Sequence, residues 1–216
     1  MKITFIGAGN VGGALAVRLA EAGHEVVLAE SKEGSASTAK ALQRSSRIVT
    51  KPLEAAVAGA EIVFLATPFN ANEAILAPLA EALSGKVLVD CTNPVGPGLS
   101  HGLKSERSGS ERVQELAPKA RVVKAFTIYG FENLENPKFP GFDGRPVMLY
   151  CGEDASAKAR VATLITDCGF EPLDVGGLPQ ALHLEHMTLL WVRMVRMNGH
   201  SPHLAWAALK GGTGAG

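Results

Sequence analysis

Residues 1–32 read MKITFIGAGNVGGALAVRLAEAGHEVVLAESK, and within them Gly7, Ala8, Gly9, Asn10, Val11 and Gly12 place three glycines at G-x-G-x-x-G spacing. In a chain with 24 glycines among 216 residues that spacing arises easily by chance, so the flanks decide its meaning. Ile3, Phe5 and Ile6 form a short apolar run suited to a buried strand, and Val11, Ala14, Leu15, Leu19 and Ala22 then recur at helical spacing. Gly23 stops that helix, and Glu25-Val26-Val27-Leu28 begins a second strand. Strand, glycine turn, helix, strand is the order a dinucleotide diphosphate requires.

Each glycine then has its own task. Gly7 permits the tight turn out of the strand, Gly9 keeps side chains away from a pyrophosphate, and Gly12 lets the helix pack closely on the sheet. The first N–H groups of the helix lack intrahelical partners and sit at the positive end of its dipole, which suits a diphosphate. Glu30 follows Gly7 by 23 positions, at the end of the second strand, where a carboxylate accepts hydrogen bonds from an adenosine ribose.

Composition narrows the partners. The chain is 46% apolar, as a folded domain with a substantial core should be. Lys plus Arg equals Asp plus Glu at 21 each, so no net field favours nucleic acid or an anionic membrane surface. No apolar stretch reaches the length of a membrane span, and the start reads as a strand rather than a signal peptide. Cys91, Cys151 and Cys168 form neither a C-x-x-C pair nor a disulfide framework, so buried thiols and a cytoplasmic setting are expected. The expected partner is a small molecule.

Alternation continues along the chain. It predicts a helix near 33–44, a strand at 47–49, a short helix near 52–58, a strand at 61–66, a helix near 71–83 bent by Pro78, and a strand at 86–91. Residues 93–110 are rich in Gly, Pro and Ser and read as a lid or pocket wall, because they follow a strand on the ligand side of such a sheet. Then come a helix at 110–117, a strand at 121–125, a loop through Gly144, a strand at 146–151, a helix at 154–168, a strand at 170–175 and a long helix from about 179 to 198. The expected fold is α/β, a Rossmann-type doubly wound, mainly parallel sheet extended by a small C-terminal α/β part ending in a long helix. The expected division is a dinucleotide-binding domain over 1–145, a C-terminal extension over 146–210 that closes the acceptor site, and a disordered tail over 211–216.

Several stretches together resemble the coenzyme F-420-dependent NADP oxidoreductases: GAGNVGGALAVRLAEAGHEV, LATP at 65–68, DCTNPV at 90–95, ARVVKAF at 120–126, CGEDASAKARVATLITDCGFEPLDVGGL at 151–178 and LHLEHMTLLW at 182–191. The resemblance implies an oxidoreductase whose Rossmann domain holds NADP, whose C-terminal part closes a second site, and in which hydride passes between the nicotinamide and a deazaflavin. Two departures stand out. Where NADP-using members show Ser-Arg or Asn-Arg, this chain has Glu30, Ser31 and Lys32 after Ala29; the carboxylate opposes a 2′-phosphate while Ser31 and Lys32 can partly accommodate one, so NAD is also an option. Where members show Ala-Phe-Asn-Thr, this chain has Ala125-Phe126-Thr127-Ile128, so a flavin or another compact acceptor stays open beside the deazaflavin.

Hydride transfer needs positioning more than acid–base groups, and no catalytic side chain is singled out. Ala66, Thr67, Pro68, Phe69, Asn93, Pro94 and Ala125 are the expected cofactor walls, and Phe126, Thr127, His183 and Met187 the expected acceptor side. His183 and His186, three apart, lack a carboxylate or cysteine to complete a metal set, since Glu185 points elsewhere on the wheel; no metal site is expected. The stripe Leu182, Met187, Leu190, Trp191, Met194 and Met197 is either core or a dimer face, and a homodimer through the C-terminal helix is expected. Rival readings are a non-catalytic NAD(P)-binding sensor and a reductase of a small imine or hydroxyacid. Against the latter, fewer than seventy residues follow Tyr150, too few for a large helical second domain. Gly9→Val should abolish dinucleotide binding while the sheet still folds; calorimetry showing unchanged affinity would defeat the motif reading.

Overall fold

The computed structural model describes residues 1–30, 35–209 and 211. Its core is one eight-stranded sheet in the order β3-β2-β1-β4-β5-β6-β7-β8, formed by β1 (Lys2–Ile6), β2 (Glu25–Glu30), β3 (Ile48–Pro52), β4 (Ile62–Leu65), β5 (Val87–Asp90), β6 (Arg121–Lys124), β7 (Val147–Gly152) and β8 (Glu171–Asp174). The helices are α1 (Asn10–Glu21), α2 (Ala36–Arg44), α3 (Leu53–Ala58), α4 (Asn72–Leu76), α5 (Gly109–Leu116), α6 (Phe131–Glu135), α7 (Ala155–Asp167) and α8 (Ala181–Arg196). Strands β1 to β6 are mutually parallel, as the alternation predicts. The chain steps outward from β1 in both directions, so the switch point lies between β1 and β4.

The central strands β1, β4, β5 and β6 are buried on both faces and divide their side chains by period two. Ile62 and Phe64 enter one core layer with Phe5, Leu15 and Leu19; Val63 and Leu65 enter the other with Ile6, Leu88 and Val113. In register, Phe5 faces Phe64 and their rings stack at 4.5 Å; Phe126 extends this row at 5.7 Å from Phe64. The same parity puts Asp90 and Lys124 opposite each other at the carboxyl ends of β5 and β6. Both are fully buried.

Two expectations need correction. The helix expected over 71–83 is not merely bent: α4 stops at Leu76, and a 3-10 turn over Ala77–Leu79 replaces its continuation. Pro78 supplies no N–H to an α-helical ladder, and a short tight turn tolerates that. The segment read as loop through Gly144 contains α6, whose five residues are too few to show a helical period. Strand β7 runs antiparallel to β6, through Val123↔Gly152 and Lys124↔Cys151, because the 125–146 connection holds no long crossover helix. Strand β8 then pairs parallel to β7 through α7, so the C-terminal segment continues the same sheet. The tail over 212–216 lies outside the described residues.

Of the stripe on α8, Trp191 is core and donates its indole N–H to the Leu204 carbonyl at 2.7 Å, whereas Leu190 and Met197 are exposed. Cys91, Cys151 and Cys168 are all buried and free. Helix α1 packs so closely on the first turn that a Cβ on Gly12 would collide with the Gly7 carbonyl oxygen and lie 3.1 Å from the Ala66 methyl group. Gly12→Ala should therefore cost roughly 1–3 kcal/mol of stability, seen as a melting point several degrees lower. An unchanged melting point would show that this contact is not tight.

Candidate functional site

Both ends of the site are built from residues that leave the carboxyl ends of parallel strands. At one end β1 stops at Ile6, and Gly7, with φ of 99°, turns the chain toward α1. Gly9 is the residue before α1 and no side chain caps the helix there. A Cβ on Gly9 would meet nothing within 4 Å, whereas Gly12 is packed solid. The free N–H groups of the first turn, lying at the positive end of the α1 dipole beside open space, form an anion cradle. Asn10 and Val11 are the first residues of that turn.

A cavity of about 270 Å³ adjoins this cradle, lined by Gly7, Ala8, Glu30, Ser35, Thr38 and Thr67 among others. Glu30 reaches it from the end of β2, as its spacing predicts. Ser35 caps α2, accepting from the Thr38 N–H at 3.2 Å, so the positive end of a second helix faces the same space. Ser31 and Lys32 lie outside the described residues.

The other end lies beyond β4, β5 and β6. Ala66, Thr67, Pro68 and Phe69 leave β4, Asn93 and Pro94 follow β5, and Ala125, Phe126 and Thr127 follow β6. A chain of hydrogen bonds ties the first two segments: Thr67 Oγ1 donates to Asn72 Oδ1 at 2.9 Å, Asn72 Nδ2 to Thr92 Oγ1 at 3.0 Å, and Thr92 Oγ1 to Asp90 Oδ1 at 2.6 Å. Two buried oxygens here have no partner, Asn93 Oδ1 and Thr127 Oγ1. Glu132 Oε2, Asn133 Oδ1 and Trp206 Nε1 are likewise unpaired, so orphaned atoms are not confined to this end, but these two are where a ligand lying beyond β5 and β6 can supply the bond.

Not every expected acceptor residue offers a side chain to this space. Phe126 has φ of 59° and turns its ring into the core against Phe64, so its left-handed backbone serves to aim the chain. Thr127 is held by its carbonyl, which accepts from Thr188 Oγ1 of α8 at 2.9 Å. On α8 Met187 is half-buried and His183 is exposed.

The sequence reading passed over a buried polar layer behind this end. Glu185 leaves the exposed His183 and His186 on α8 and enters the interior, where it meets His101 Nε2 at 2.8 Å, the Gly109 N–H at 2.9 Å and Lys124 Nζ at 3.2 Å. Lys124 also lies 3.4 Å from Asp90 and donates to the Thr92 carbonyl. Burial works against its charge, but Asp90 and Glu185 outweigh that and raise its pKa above the ordinary lysine value. The available signal was a charge ending each of two apolar strands, VLVD and RVVK, and a lone Glu amid LHLEHMTLLW.

Nucleophilic alternatives are weak. Burial pushes the thiols of Cys151 and Cys168 up to about 12 and that of Cys91 upward as well, so none supplies a thiolate near neutral pH. Among the described residues no three His, Cys, Asp or Glu side chains gather to hold a metal ion. No helix among them is long and apolar enough to cross a membrane.

The model of the family described as NADP oxidoreductase, coenzyme F420-dependent, matches residues 2–94. The F420-dependent NADP reductase of Methanothermobacter marburgensis is 36% identical over 208 residues, covering 90% of this chain and 92% of its own. The metalloreductase STEAP3 of Rattus norvegicus is 32% identical over 189 residues, covering 87% of this chain but 36% of its own length, so this chain spans about a third of that relative. Among solved structures, an Arthrobacter sp. FB24 protein proposed to be an F420-dependent NADP reductase superposes with a TM-score of 0.85 at 30% identity, covering 97% of this chain and all of its own. An open glycine turn at β1, a matching fold over the whole length and these identities lead to one conclusion: the chain is an NAD(P)-binding oxidoreductase and belongs to the coenzyme F420-dependent NADP oxidoreductase family.

Proposed function

We propose that the protein passes a hydride between a nicotinamide dinucleotide and a deazaflavin- or flavin-like acceptor. The dinucleotide is NADP by relationship, with NAD also accepted. The observation that carries the reading is that one sheet edge bears both an uncapped, unobstructed glycine turn and, beyond β5 and β6, two buried oxygens without partners. These residues fit a dinucleotide laid across the switch point, and the name of the Methanothermobacter relative supports NADP and F420 as its pair.

In this reading residues 1–145 hold the dinucleotide and 146–210 close the acceptor side. The amides of Gly9, Asn10, Val11 and Gly12 hold the diphosphate, and Glu30 with the neighbouring Ser31 and Lys32 holds the adenosine ribose. Thr67, Pro68, Phe69, Asn93 and Pro94 wall the nicotinamide and exclude water, with Ala66 and Ala125 at the strand ends behind them. When bound, the dinucleotide supplies the carbon that gives or takes the hydride. Asn93 Oδ1 orients the carboxamide, and Thr127 Oγ1 bonds the acceptor, with Met187 and His183 of α8 on its outer side. Exposed Leu190 and Met197 support pairing of two copies through α8.

Glu30→Ser should raise the preference for NADP over NAD by about tenfold, because it removes a carboxylate from the 2′ position. Titration of both dinucleotides against both proteins checks this, and an unchanged ratio would mean Glu30 faces away. Hydride transfer itself is tested by anaerobic stopped-flow mixing of NADPH-loaded protein with oxidised coenzyme F420, read as loss of deazaflavin absorbance. Wild-type protein should transfer, and Thr127→Val should do so about tenfold more slowly at an equal or higher melting point, since it removes a buried unpaired hydroxyl. Absence of transfer from the wild type to deazaflavins and flavins alike would leave the sensor reading.

A further inference from the structure

Directly behind the proposed nicotinamide wall lies a set of buried charges that does not balance. A Cβ built on Gly109 would lie 2.7 Å from the Phe69 ring, 3.1 Å from Pro94 Cδ and 3.1 Å from Glu185 Oε1, so the wall residues and this carboxylate border the same glycine. Every group facing Glu185 donates: the Gly109 N–H, the Lys124 ammonium and His101 Nε2. His101 Nε2 carries the proton because Nδ1 accepts the N–H groups of Leu103 at 3.3 Å and Ser105 at 3.2 Å. The proton shared with Glu185 therefore sits on Nε2, and Nδ1 is engaged as an acceptor. Asp90 likewise receives the Thr92 N–H, the Thr92 and Ser110 hydroxyls and Lys124. Both carboxylates thus meet only donors, and Lys124 is the one buried lysine or arginine among the described residues.

Two buried carboxylates thus face one buried cation, and beyond Lys124 only the N-terminal turn of α5 and neutral donors offset their negative charge. Hydride donation breaks a C–H bond on the reduced nicotinamide and forms one on the acceptor, which takes both electrons; a proton from water neutralises the acceptor, and the nicotinamide ring is left with one positive charge.

We propose that the Asp90–Lys124–Glu185 cluster is completed by this positive ring, so that it binds oxidised cofactor in preference to reduced and drives hydride outward to the acceptor. This inference rests on the dinucleotide site proposed above. Glu185 and Asp90 act through their charge and touch no reacting atom; they are positioning residues for the redox state of the cofactor.

Calorimetric titration of the protein with NADP⁺ and with NADPH tests it, as a ratio of two dissociation constants. Wild type should hold NADP⁺ at least as tightly as NADPH. Glu185→Gln and Asp90→Asn, which each remove one negative charge at nearly constant shape, should shift the ratio toward NADPH by about tenfold. Structural damage would weaken both forms alike and leave the ratio unmoved. An unchanged ratio in a variant that folds, as judged by circular dichroism, would overturn the proposal. Should neither variant fold, a wild type that binds NADPH the more tightly would overturn it equally. Wild type that bound neither form would remove the dinucleotide site and this inference with it, whereas a normal site with an indifferent ratio removes the inference alone.

Discussion

A lysine with no exposed surface, Lys124, holds the functional edge of this molecule together. It stands opposite Asp90 in the register of β5 and β6, reaches Glu185 of α8, and donates to the Thr92 carbonyl where the chain leaves β5. Through Glu185 the same cluster grips His101 and Gly109, so the loop over 93–110 is fastened to α8 at both its middle and its end. Truncating one partner of a buried ion pair typically costs about 3–5 kcal/mol, so these contacts contribute strongly to holding the edge in place. Residues from β4, β5, β6, the loop and the C-terminal helix thus share one rigid frame.

That frame gives the cradle at β1 its meaning. An open glycine turn alone binds an anion; a dinucleotide also needs a second, fixed wall along the same sheet edge. Here Asn72 links the segment after β4 to that after β5, and Thr188 of α8 holds the Thr127 carbonyl after β6. In the proposed site the C-terminal part, with β7 beside β6 and Thr188 of α8 on the Thr127 carbonyl, forms the closing side of the wall.

The elements around the cradle were legible because local physics determines them: β1, α1 and β2 follow from an apolar run, a 3.6-residue repeat and three glycines placed where close approach or open space needs them. Parallel strands β4, β5 and β6 were equally plain as apolar runs between turns. What was not legible depends on distant partners. The break after Leu76 and the five residues of α6 leave no periodic trace, and the antiparallel β7 follows from how the 125–146 connection packs. Asp90 and Lys124 looked like ordinary polar strand ends until the register set them opposite each other. Glu185 could be read as turned away from its neighbouring histidines, but its destination is set by a loop some eighty residues earlier, His101 being 84 positions away. Phe126 looked like an aromatic wall, and only the αL backbone at that residue sends its ring into the core.

A crystal structure of the protein with NADP⁺ bears most directly on the claim that one dinucleotide spans this edge. Density for the diphosphate against the N–H groups of the first turn of α1, with the nicotinamide against the wall that includes Phe69 and Pro94 and its carboxamide on Asn93 Oδ1, is the expected result. A dinucleotide bound elsewhere, or one whose nicotinamide turns away from Asn93 and Thr127 into solvent, would contradict it.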